Sequence, residues 1–310
     1  MKTSLLCLRP GEPANQWVAR TVHGLIAPVV RRARQPHRGQ EETIHLIRTT
    51  TKQLRALLRL LRTAISPATF TEEDARLKNA ADRLAPGRDR AVARETMAML
   101  AKAADSNNHR KTLTRLRREL DKLLPLSTAP DAARTVLQSA RSLDESKGIL
   151  LQIGITNGGW NVIGAGLVAA YRRARRRLKA ASDHADDESL HRWRIAVKRL
   201  YYQLRWLEPV WPERFISLIK RLHELEQKLG TDHDLALLQA SQRSWARGIS
   251  DAATADVLRK AIRQRRLRLK SRCLALGKKE LSQTPQAFEK QCRRHWKKWS
   301  EAPLGPAMPQ

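Results

Sequence analysis

Basic residues recur in the first part of the chain at a spacing suited to an extended polyanion. Alternating intervals of three and four residues separate His45, Arg48, Lys52, Arg55, Arg59 and Arg62. On an α-helix this spacing places all six side chains on one face. No acidic residue lies between His45 and Arg62, so ion pairs within the run do not neutralise it. Arginine offers phosphate two parallel donors and lysine a point charge, so the run is suited to bind phosphate groups.

A second run repeats this arrangement 146 residues later. Four shifted positions keep a basic residue: His191, Arg194, Lys198 and Arg205. Tyr201 stands in place of Arg55, and Arg199 adds a further cation to the second run. A mostly apolar row keeps the same register, namely Ile47, Thr51, Leu54, Leu58 and Leu61 in the first run and Trp193, Val197, Leu200, Leu204 and Leu207 in the second. Two interleaved rows in one register predict an internal duplication into two helical units of about 130 residues each.

Weaker echoes extend the basic pattern. Spacings of four, three and four residues recur in two further segments: Lys111, Arg115, Arg118 and Lys122, and Arg259, Arg263, Arg266 and Lys270. A third basic segment precedes the second run and contains Arg172, Arg173 and Arg176. We expect Lys111, Arg115, Arg118, Arg263 and Arg266, together with this third segment, to lengthen a track for the polyanion.

The basic row is displaced from the apolar row by one residue, which is about 100° around a helix. It therefore lies beside the packed seam, whereas a simple solvated face would lie opposite it. The span from His45 to Arg62 is roughly 26 Å at 1.5 Å per residue. This length predicts a groove for a linear polyphosphate rather than a pocket for a single phosphate.

Composition supports a polyanion partner. The 310 residues include 60 Lys and Arg against 30 Asp and Glu, a formal net charge of +30 with a pI of about 11.2. The three cysteines, Cys7, Cys273 and Cys292, are not in CxxC spacing, which argues against a disulfide framework and a zinc site. No run of 18 apolar residues predicts a membrane span, and the apolar start of the chain is too short for a secretory signal. These features predict a cytoplasmic protein without a membrane partner.

Helical periodicity extends over nearly the whole chain, and no segment alternates as a strand does, so we predict an all-α fold. Residues 1–14 are expected to form a loose arm, about 15–145 the first helical half, about 146–166 a Gly-rich buried connector, about 167–300 the second half, and 301–310 a disordered tail. The connector lacks the spacings of phosphate-binding glycine loops. Predicted helix starts include N-caps at Thr71 and at Asn107 or Asn108, and helices 213–229 and 233–247 are separated by a turn.

The two basic runs contain motifs that resemble those of a known family. HxxRxxxKxLR, from His45 to Arg55, and HxxRxxxKRLYY, from His191 to Tyr202, make the chain similar to the CHAD domain, the conserved histidine α-helical domain, over about residues 15–300. The resemblance implies two four-helix bundles with pseudo-twofold symmetry and a basic cavity that binds inorganic polyphosphate, in some members on polyphosphate granules. The chain departs from the family pattern at Tyr201 and His233 and in the turn that contains Asp89, and its first half is the more divergent.

Other groups of charged residues in the sequence do not indicate catalysis or metal binding. Asp89 and Asp234 are expected to cap helices or orient an arginine of the runs. Glu224, Glu226 and Lys228 match the letters ExExK of a triphosphatase, but they lie in a helical apolar pattern, whereas that motif belongs on a strand. Neighbouring cations argue against a metal at the histidines. We therefore predict no catalytic residues, no metal and no cofactor.

Three functions compete on these grounds. The first is non-enzymatic binding of polyphosphate by the two runs and their extensions. The second is binding of nucleic acid through the same charge, although no helix-turn-helix, zinc-finger or RNP motif supports it. The third and weakest is a phosphohydrolase that uses the ExExK letters. The sequence makes no prediction of oligomeric state.

Overall fold

The computed structural model describes residues 5–35, 40–84, 88–123, 132–153, 159–245 and 252–301. Side chains are described in these ranges except at residues 88–91, 120–123, 132, 241–245 and 252. All regular elements within these ranges are helical, which confirms the predicted all-α fold class. No helix in them is long and apolar enough to cross a lipid bilayer.

The α-helices follow one another with short connections, two of which contain a 3₁₀ turn, at Arg62–Ala64 and Glu208–Val210. Their bounds are α1 Ala14–Ala33, α2 Gln40–Leu60, α3 Pro67–Asp82, α4 Arg88–Lys102, α5 Asn107–Leu123, α6 Ala132–Leu151, α7 Trp160–Asp183, α8 Asp187–Trp206, α9 Pro212–Trp245, α10 Ala252–Glu280 and α11 Pro285–Ser300.

Side-chain caps set the helix starts, but not all at the predicted residues. The hydroxyl of Ser66 accepts a 3.1 Å hydrogen bond from the backbone N–H of Thr69, and Pro67 occupies the first position of α3. Proline is favoured there because its missing N–H is not needed. The prediction of an N-cap at Thr71 is therefore wrong, since this residue lies inside α3.

The predicted cap of α5 is also wrong. Asn107 and Asn108 are already helical, and the hydroxyl of Ser106 accepts a 3.2 Å hydrogen bond from the backbone N–H of His109. Both errors have the same cause. Several adjacent Ser, Thr and Asn residues can each cap a helix, and only the path of the incoming chain selects one of them.

Two rings of four helices form the framework. In the first half α1, α2, α3 and α6 each contact two neighbours in a closed ring, and α7, α8, α9 and α10 do the same in the second half, with α11 against α7. The arrangement fits the four-helix halves that the family resemblance implies. The internal duplication itself stays a prediction.

The two rings are joined through α2, which contacts both α7 and α8. A Cβ on Gly166 of α7 would lie 2.0 Å from the carbonyl oxygen of Leu60, so only glycine permits this approach of the two backbones. Gln203 of α8 donates a buried 2.9 Å hydrogen bond to the carbonyl of Ala56 on α2. The motif helices α2 and α8 are thereby held side by side.

A second, smaller core lies outside the two rings. The hairpin of α4 and α5 packs on the C-terminal part of α9 and the N-terminal part of α10. Met97 and Leu113 are buried there against Leu238 and Ile262. Although α4 and α5 precede the second half in sequence, they cover its helices.

Tryptophans fill part of the main core. Trp193 and Trp206 are buried, and Trp211 is partly buried. A Cβ on Gly277 of α10 would lie 2.4 Å from the ring of Trp193, so this glycine makes room for the indole. Trp193 and Trp206 are therefore core residues.

The predicted turn between helices 213–229 and 233–247 is wrong. α9 runs without a break from Pro212 to Trp245, and Gly230 lies inside it. A glycine inside a helix costs about 1 kcal/mol relative to alanine, which weakens a helix without ending it. Asp234 is therefore no N-cap. Asp89 is the second residue of α4 and no N-cap either, and its side chain lies outside the described side chains.

The Gly-rich connector is shorter than predicted. Its first residues, 146–151, belong to α6, and its last, 160–166, belong to α7. Residues 154–158 lie outside the described ranges. The glycines of α7 mislead because they serve close packing, as Gly166 does, rather than a turn.

The prediction of a loose N-terminal arm is wrong for residues 5–13. Leu6 and Leu8 are buried, and the backbone N–H of Leu8 donates a 2.9 Å hydrogen bond to the carbonyl of Trp206. The indole N–H of Trp17 donates to the carbonyl of Leu6 at 3.0 Å. The predicted tail falls on residues 302–310, which lie outside the described ranges, and on Glu301.

Candidate functional site

A cavity of about 350 Å³ lies where α2, α8 and α9 meet, close to the end of α3 and the start of α4. Both basic runs line it. Its cationic lining consists of Arg48, Lys52, Arg55, Arg194, Lys198 and Arg199. His191, His233, Asp82 and Asp234 add titratable groups to the described lining. Segments far apart in the sequence thus converge on one recess.

The α2 wall follows from the two interleaved rows of the sequence. Ile47 and Leu54 are fully buried in the main core, and the basic residues beside them are half-buried at the edge of that core. Arg48 donates a 3.2 Å hydrogen bond to the carbonyl of Ala81 near the end of α3. The predicted position of the basic row beside the packed seam is thus what the structure has.

Asp74 of α3 holds two arginines of the first run. Its carboxylate accepts hydrogen bonds from Arg55 at 2.7 and 3.1 Å and from Arg59 at 2.5 and 2.6 Å. Burial by itself would raise the pKa of Asp74, but the hydrogen bonds from Arg59 and Arg55 outweigh it and keep the pKa far below its usual range. This carboxyl group is therefore charged at any physiological pH.

The α8–α9 wall is an antiparallel helix pair in a fixed register. His191 faces His233 with ring centroids 4.5 Å apart, Arg194 faces Gly230, and Lys198 faces Glu226. A Cβ on Gly230 would lie 3.2 Å from Nη2 of Arg194. The glycine lets the guanidinium lie directly on the backbone of α9.

Glu226 is the acid partner of the second run. Its side chain is only 7% exposed, and its Oε1 lies 2.5 Å from Nζ of Lys198 and 3.6 Å from Nη2 of Arg194. It lies outside the described lining of the cavity, behind the two cations that line it. Glu226 can therefore orient these side chains without facing a ligand.

Arg199 lies in a region of strong positive potential, where α2, α7 and α8 contact one another. Burial and, after it, the charges of Arg59, Arg173 and Arg55 together lower the pKa of Arg199 to about 9, with Asp74 opposing them. Partial desolvation and the neighbouring arginines also lower the pKa of Arg173 on α7, although this side chain is largely exposed. Both groups stay charged at pH 7. An anion bound among these guanidinium groups would relieve their repulsion.

His191 lies in the same field. Burial lowers its pKa below the ordinary value, the charge of Arg194 adds to this, and Glu188 opposes it. Its imidazole is therefore mainly neutral at pH 7 in the ligand-free protein. A polyanion in the cavity would reverse the local potential and favour the charged imidazolium.

Several predicted residues of the first run lie at its ends, outside the described lining. His45 is exposed on α2, with Nε2 3.4 Å from the hydroxyl of Thr49. The guanidinium carbons of Arg59 and Arg62 lie 5.4 and 4.6 Å from the ring centroid of Phe70. These residues continue the row beyond the cavity rather than forming its walls.

Tyr201 and Arg205 of the second run are outside the described lining too. Tyr201 stacks on His223 with ring centroids 5.1 Å apart, and Arg205 donates a 3.2 Å hydrogen bond to its hydroxyl. The predicted equivalence of Arg205 with Arg59 holds in sequence, but Arg205 is not part of the cavity wall.

The predicted extensions divide into two kinds. Exposed side chains are found at Lys111, Arg115 and Arg118 on α5, Arg263 on α10, and Arg172, Arg173 and Arg176 on α7. Arg266, in contrast, is only 11% exposed and is paired with Asp232 and Asp187. These ion pairs tie α10 to α9 and α8, so Arg266 is less accessible than the exposed residues, and its place in the track stays a prediction.

Sequence reasoning missed the acids behind the cations. The sequence patterns give Asp74 no role beside the first run, and Glu226 stands out only as one of the ExExK letters. A signal for Glu226 does exist, because it directly follows Leu225 in the apolar pattern of α9 and so lies at the edge of a packed seam. Recognising it would have required the register of α8 against α9.

The ExExK letters lie on α9, as predicted. Glu224 pairs with Arg221 and Lys228 at the surface, while Glu226 is buried. The two carboxylates therefore do not form one site. Among the described residues no three His, Cys, Asp or Glu side chains are grouped so that they could hold a metal ion.

Comparisons with known proteins agree with this architecture. Residues 25–243 match the family model of the CHAD domain, which is more than half of the chain and includes both basic runs. The fold is similar to that in the crystal structure of the CHAD domain from the plant Ricinus communis, with a TM-score of 0.60 and 18% identity over 96% of each chain. At this identity the structural match shows the fold alone. A search of curated proteins gives no match.

Proposed function

The chain belongs to the CHAD domain family, and from this premise we propose that it binds inorganic polyphosphate, without converting it, in the cavity between α2, α8 and α9. The family is linked to polyphosphate binding in general. The observation that carries the proposal is the convergence of Arg48, Lys52 and Arg55 with Arg194 and Lys198 on one recess.

The charge balance of this recess favours a polyanion. Six Arg and Lys side chains in the described lining face two carboxylates, those of Asp82 and Asp234. The acids that pair with Arg55 and Lys198, namely Asp74 and Glu226, lie outside that lining. Phosphate groups in the cavity would therefore meet donors on both walls.

The shape also favours a thin chain. From Arg48 to Arg55 the α2 wall rises about 10 Å, which accommodates several consecutive phosphates. Arg59 and Arg173 continue the positive field beyond Arg55. A rigid nucleic-acid duplex carries its phosphates on a wide cylinder, which fits a recess between helices less well.

A competition assay tests the ligand class. The full chain would be incubated with fluorescently labelled long polyphosphate and challenged with unlabelled polyphosphate or duplex DNA at equal phosphate concentration. We expect polyphosphate to compete at least tenfold better, with affinity falling steeply as salt rises, since bound phosphate displaces counterions. Equal competition by DNA would favour nucleic-acid binding instead.

Charge reversal tests the location. The double variant Arg48→Glu/Arg194→Glu places two negative charges in the cavity, and we expect it to abolish measurable binding. A matched control, Arg293→Glu/Lys297→Glu, makes the same change in net charge on exposed positions of α11. If both variants weaken binding equally, overall charge rather than the cavity binds the ligand.

Two expectations complete the proposal. Incubation with polyphosphate and Mg²⁺ should release no phosphate above background, and sustained release would instead support the phosphohydrolase alternative. In cells we expect a cytoplasmic protein, with part of it on polyphosphate granules. Imaging a fluorescent fusion in granule-forming and granule-free cells checks this.

A further inference from the structure

Part of the cavity is unsuited to phosphate. Ile195 and Leu237 line it and remain 45% and 46% exposed, which makes them two of the few large aliphatic side chains so exposed in the described part of the chain. Exposed aliphatic side chains that are grouped in a recess can form a ligand-binding surface, because a ligand that covers them removes apolar area from water. A chain made only of phosphates has no such surface.

These two residues belong to one small patch with the imidazole pair. Ile195 follows His191 by four residues on α8, and Leu237 follows His233 by four residues on α9, so each pair shares a helix face. The imidazole rings of the two helices lie 4.5 Å apart, tilted by 34°. Aliphatic and aromatic surface is thereby combined next to Arg194.

The distance from this patch to the cationic end suits a ligand with two different ends. His191 and Lys198 are seven residues apart on α8, which is about 10 Å along the helix. A planar ring system at the patch would place an attached chain of two or three phosphates near Arg194, Lys198 and Arg199. Ligand sites commonly combine such an apolar surface with a few polar anchors.

From this arrangement we propose that the cavity also binds nucleoside polyphosphates, with the base against His191, His233, Ile195 and Leu237 and the phosphates against the cationic wall. Nucleobases stack on histidine rings and cover aliphatic side chains. The proposal shares its cationic wall with the site proposed for polyphosphate, so the experiment separates the two.

Calorimetric titration of the full chain compares ATP with tripolyphosphate, both without metal and at matched ionic strength. Tripolyphosphate carries the phosphates without the nucleoside. We expect ATP to bind about fivefold more tightly although it has the lower charge, because it covers the apolar patch. If tripolyphosphate binds as tightly as ATP or more tightly, the nucleotide proposal fails and the polyphosphate proposal stands. If neither ligand binds, the nucleotide proposal fails, and the competition assay with long chains decides the polyphosphate proposal separately.

The variant Ile195→Ser/Leu237→Ser tests the patch itself. We expect it to weaken ATP binding about fivefold to tenfold and to leave tripolyphosphate binding within about twofold. The control Ile216→Ser/Leu267→Ser changes the same residue types at 56% and 59% exposed positions outside the described lining. It should change neither affinity. An equal loss for both ligands in the first variant, with unchanged thermal unfolding, would overturn the assignment of the base to this patch.

Discussion

The two basic runs share four basic positions and differ in their ion pairs. In the first half the acid is Asp74, which holds Arg55 and Arg59 toward the end of the run. In the second half it is Glu226, which holds Arg194 and Lys198. These are the counterparts of Arg48 and Lys52. The acid therefore engages a different part of the row in each half.

The shift of 146 residues that aligns the runs does not align the acids. It places Asp74 on Lys220 and Glu226 on Ala80. The cationic rows are repeated, whereas each acid is specific to the helix that packs against its row, α3 in one half and α9 in the other. The comparison indicates that the two halves share the basic row, whereas the acid that neutralises part of each row differs between the halves.

The largest expected difference between the halves concerns stability. We expect Asp74→Ala to lower the free energy of unfolding by about 3 kcal/mol and Glu226→Ala by about 2 kcal/mol. Asp74 accepts hydrogen bonds from two guanidinium groups that are close to further arginines, so its loss leaves more repulsion uncompensated. Urea unfolding of both variants measures the difference.

The surface acid Glu224 serves as control, and Glu224→Ala should lower the free energy of unfolding by less than about 0.5 kcal/mol.

Because the pKa of Asp74 is lowered in the folded state, the stabilisation that Asp74 provides is present above the unfolded pKa of about 3.9 and is lost as the pH falls further. Asp74→Ala should therefore show a weaker loss of stability below pH 4. If Asp74→Ala were as stable as the original protein, Asp74 would not be needed to compensate the charges of Arg55 and Arg59.

The second difference concerns pH. Because the ligand-free pKa of His191 is lowered and a bound polyanion would raise it, the protonated form should bind more tightly. We expect the affinity for polyphosphate to rise about tenfold as the pH falls from about 8 to about 6. Calorimetry in two buffers of different ionisation enthalpy should show proton uptake.

The exposed histidine of the first run gives the matched comparison. His191→Gln should remove most of this pH dependence, whereas His45→Gln should remove little of it. Identical pH profiles for the two variants would place the titrating group elsewhere.

A third, smaller effect concerns only the α8–α9 wall of the cavity. Gly230→Ala improves the intrinsic helix propensity of α9 by about 1 kcal/mol but displaces the guanidinium of Arg194 by its new methyl group. We expect thermal stability to change little and the affinity for polyphosphate to fall about fivefold. Titration together with thermal unfolding separates the two effects, and unchanged affinity would show that Arg194 does not need this contact.

The smallest effect concerns the outer residues. Arg118 and Arg263 are exposed on α5 and α10, outside the described lining. We expect Arg118→Ala/Arg263→Ala to weaken binding of long polyphosphate by less than about twofold, because exposed charges contribute little. A larger loss, seen with long chains and not with tripolyphosphate, would show that the track extends to these helices.

The sequence was sufficient to predict much of the site. The spacing of basic and apolar residues places Arg48 and Arg194 correctly beside packed seams, and the repeated register brings the two runs together on α2 and α8. Helical periodicity likewise predicts the all-α fold class. These features depend on local geometry, which the sequence pattern determines directly.

The failures concern contacts between helices. Gly230 resembles a helix end in sequence, and only its partner Arg194 explains why it lies inside α9. Glu226 resembles a stray acid until α8 and α9 are aligned. Arg266 belongs to a basic pattern in sequence, and only the packing of the helices shows that Asp232 and Asp187 are its ion-pair partners. A single sequence does not specify these registers, so the acids and glycines that serve the cations were misassigned.

The glycine beneath the Trp193 indole limits where the chain can be cut. The segment that matches the family model ends at residue 243, whereas the indole rests on Gly277 of α10. A recombinant fragment trimmed at residue 243 would remove this cover from the Trp193 indole of α8, two residues from His191. Such a fragment should aggregate or lose its ligand even though every residue of both motifs is retained.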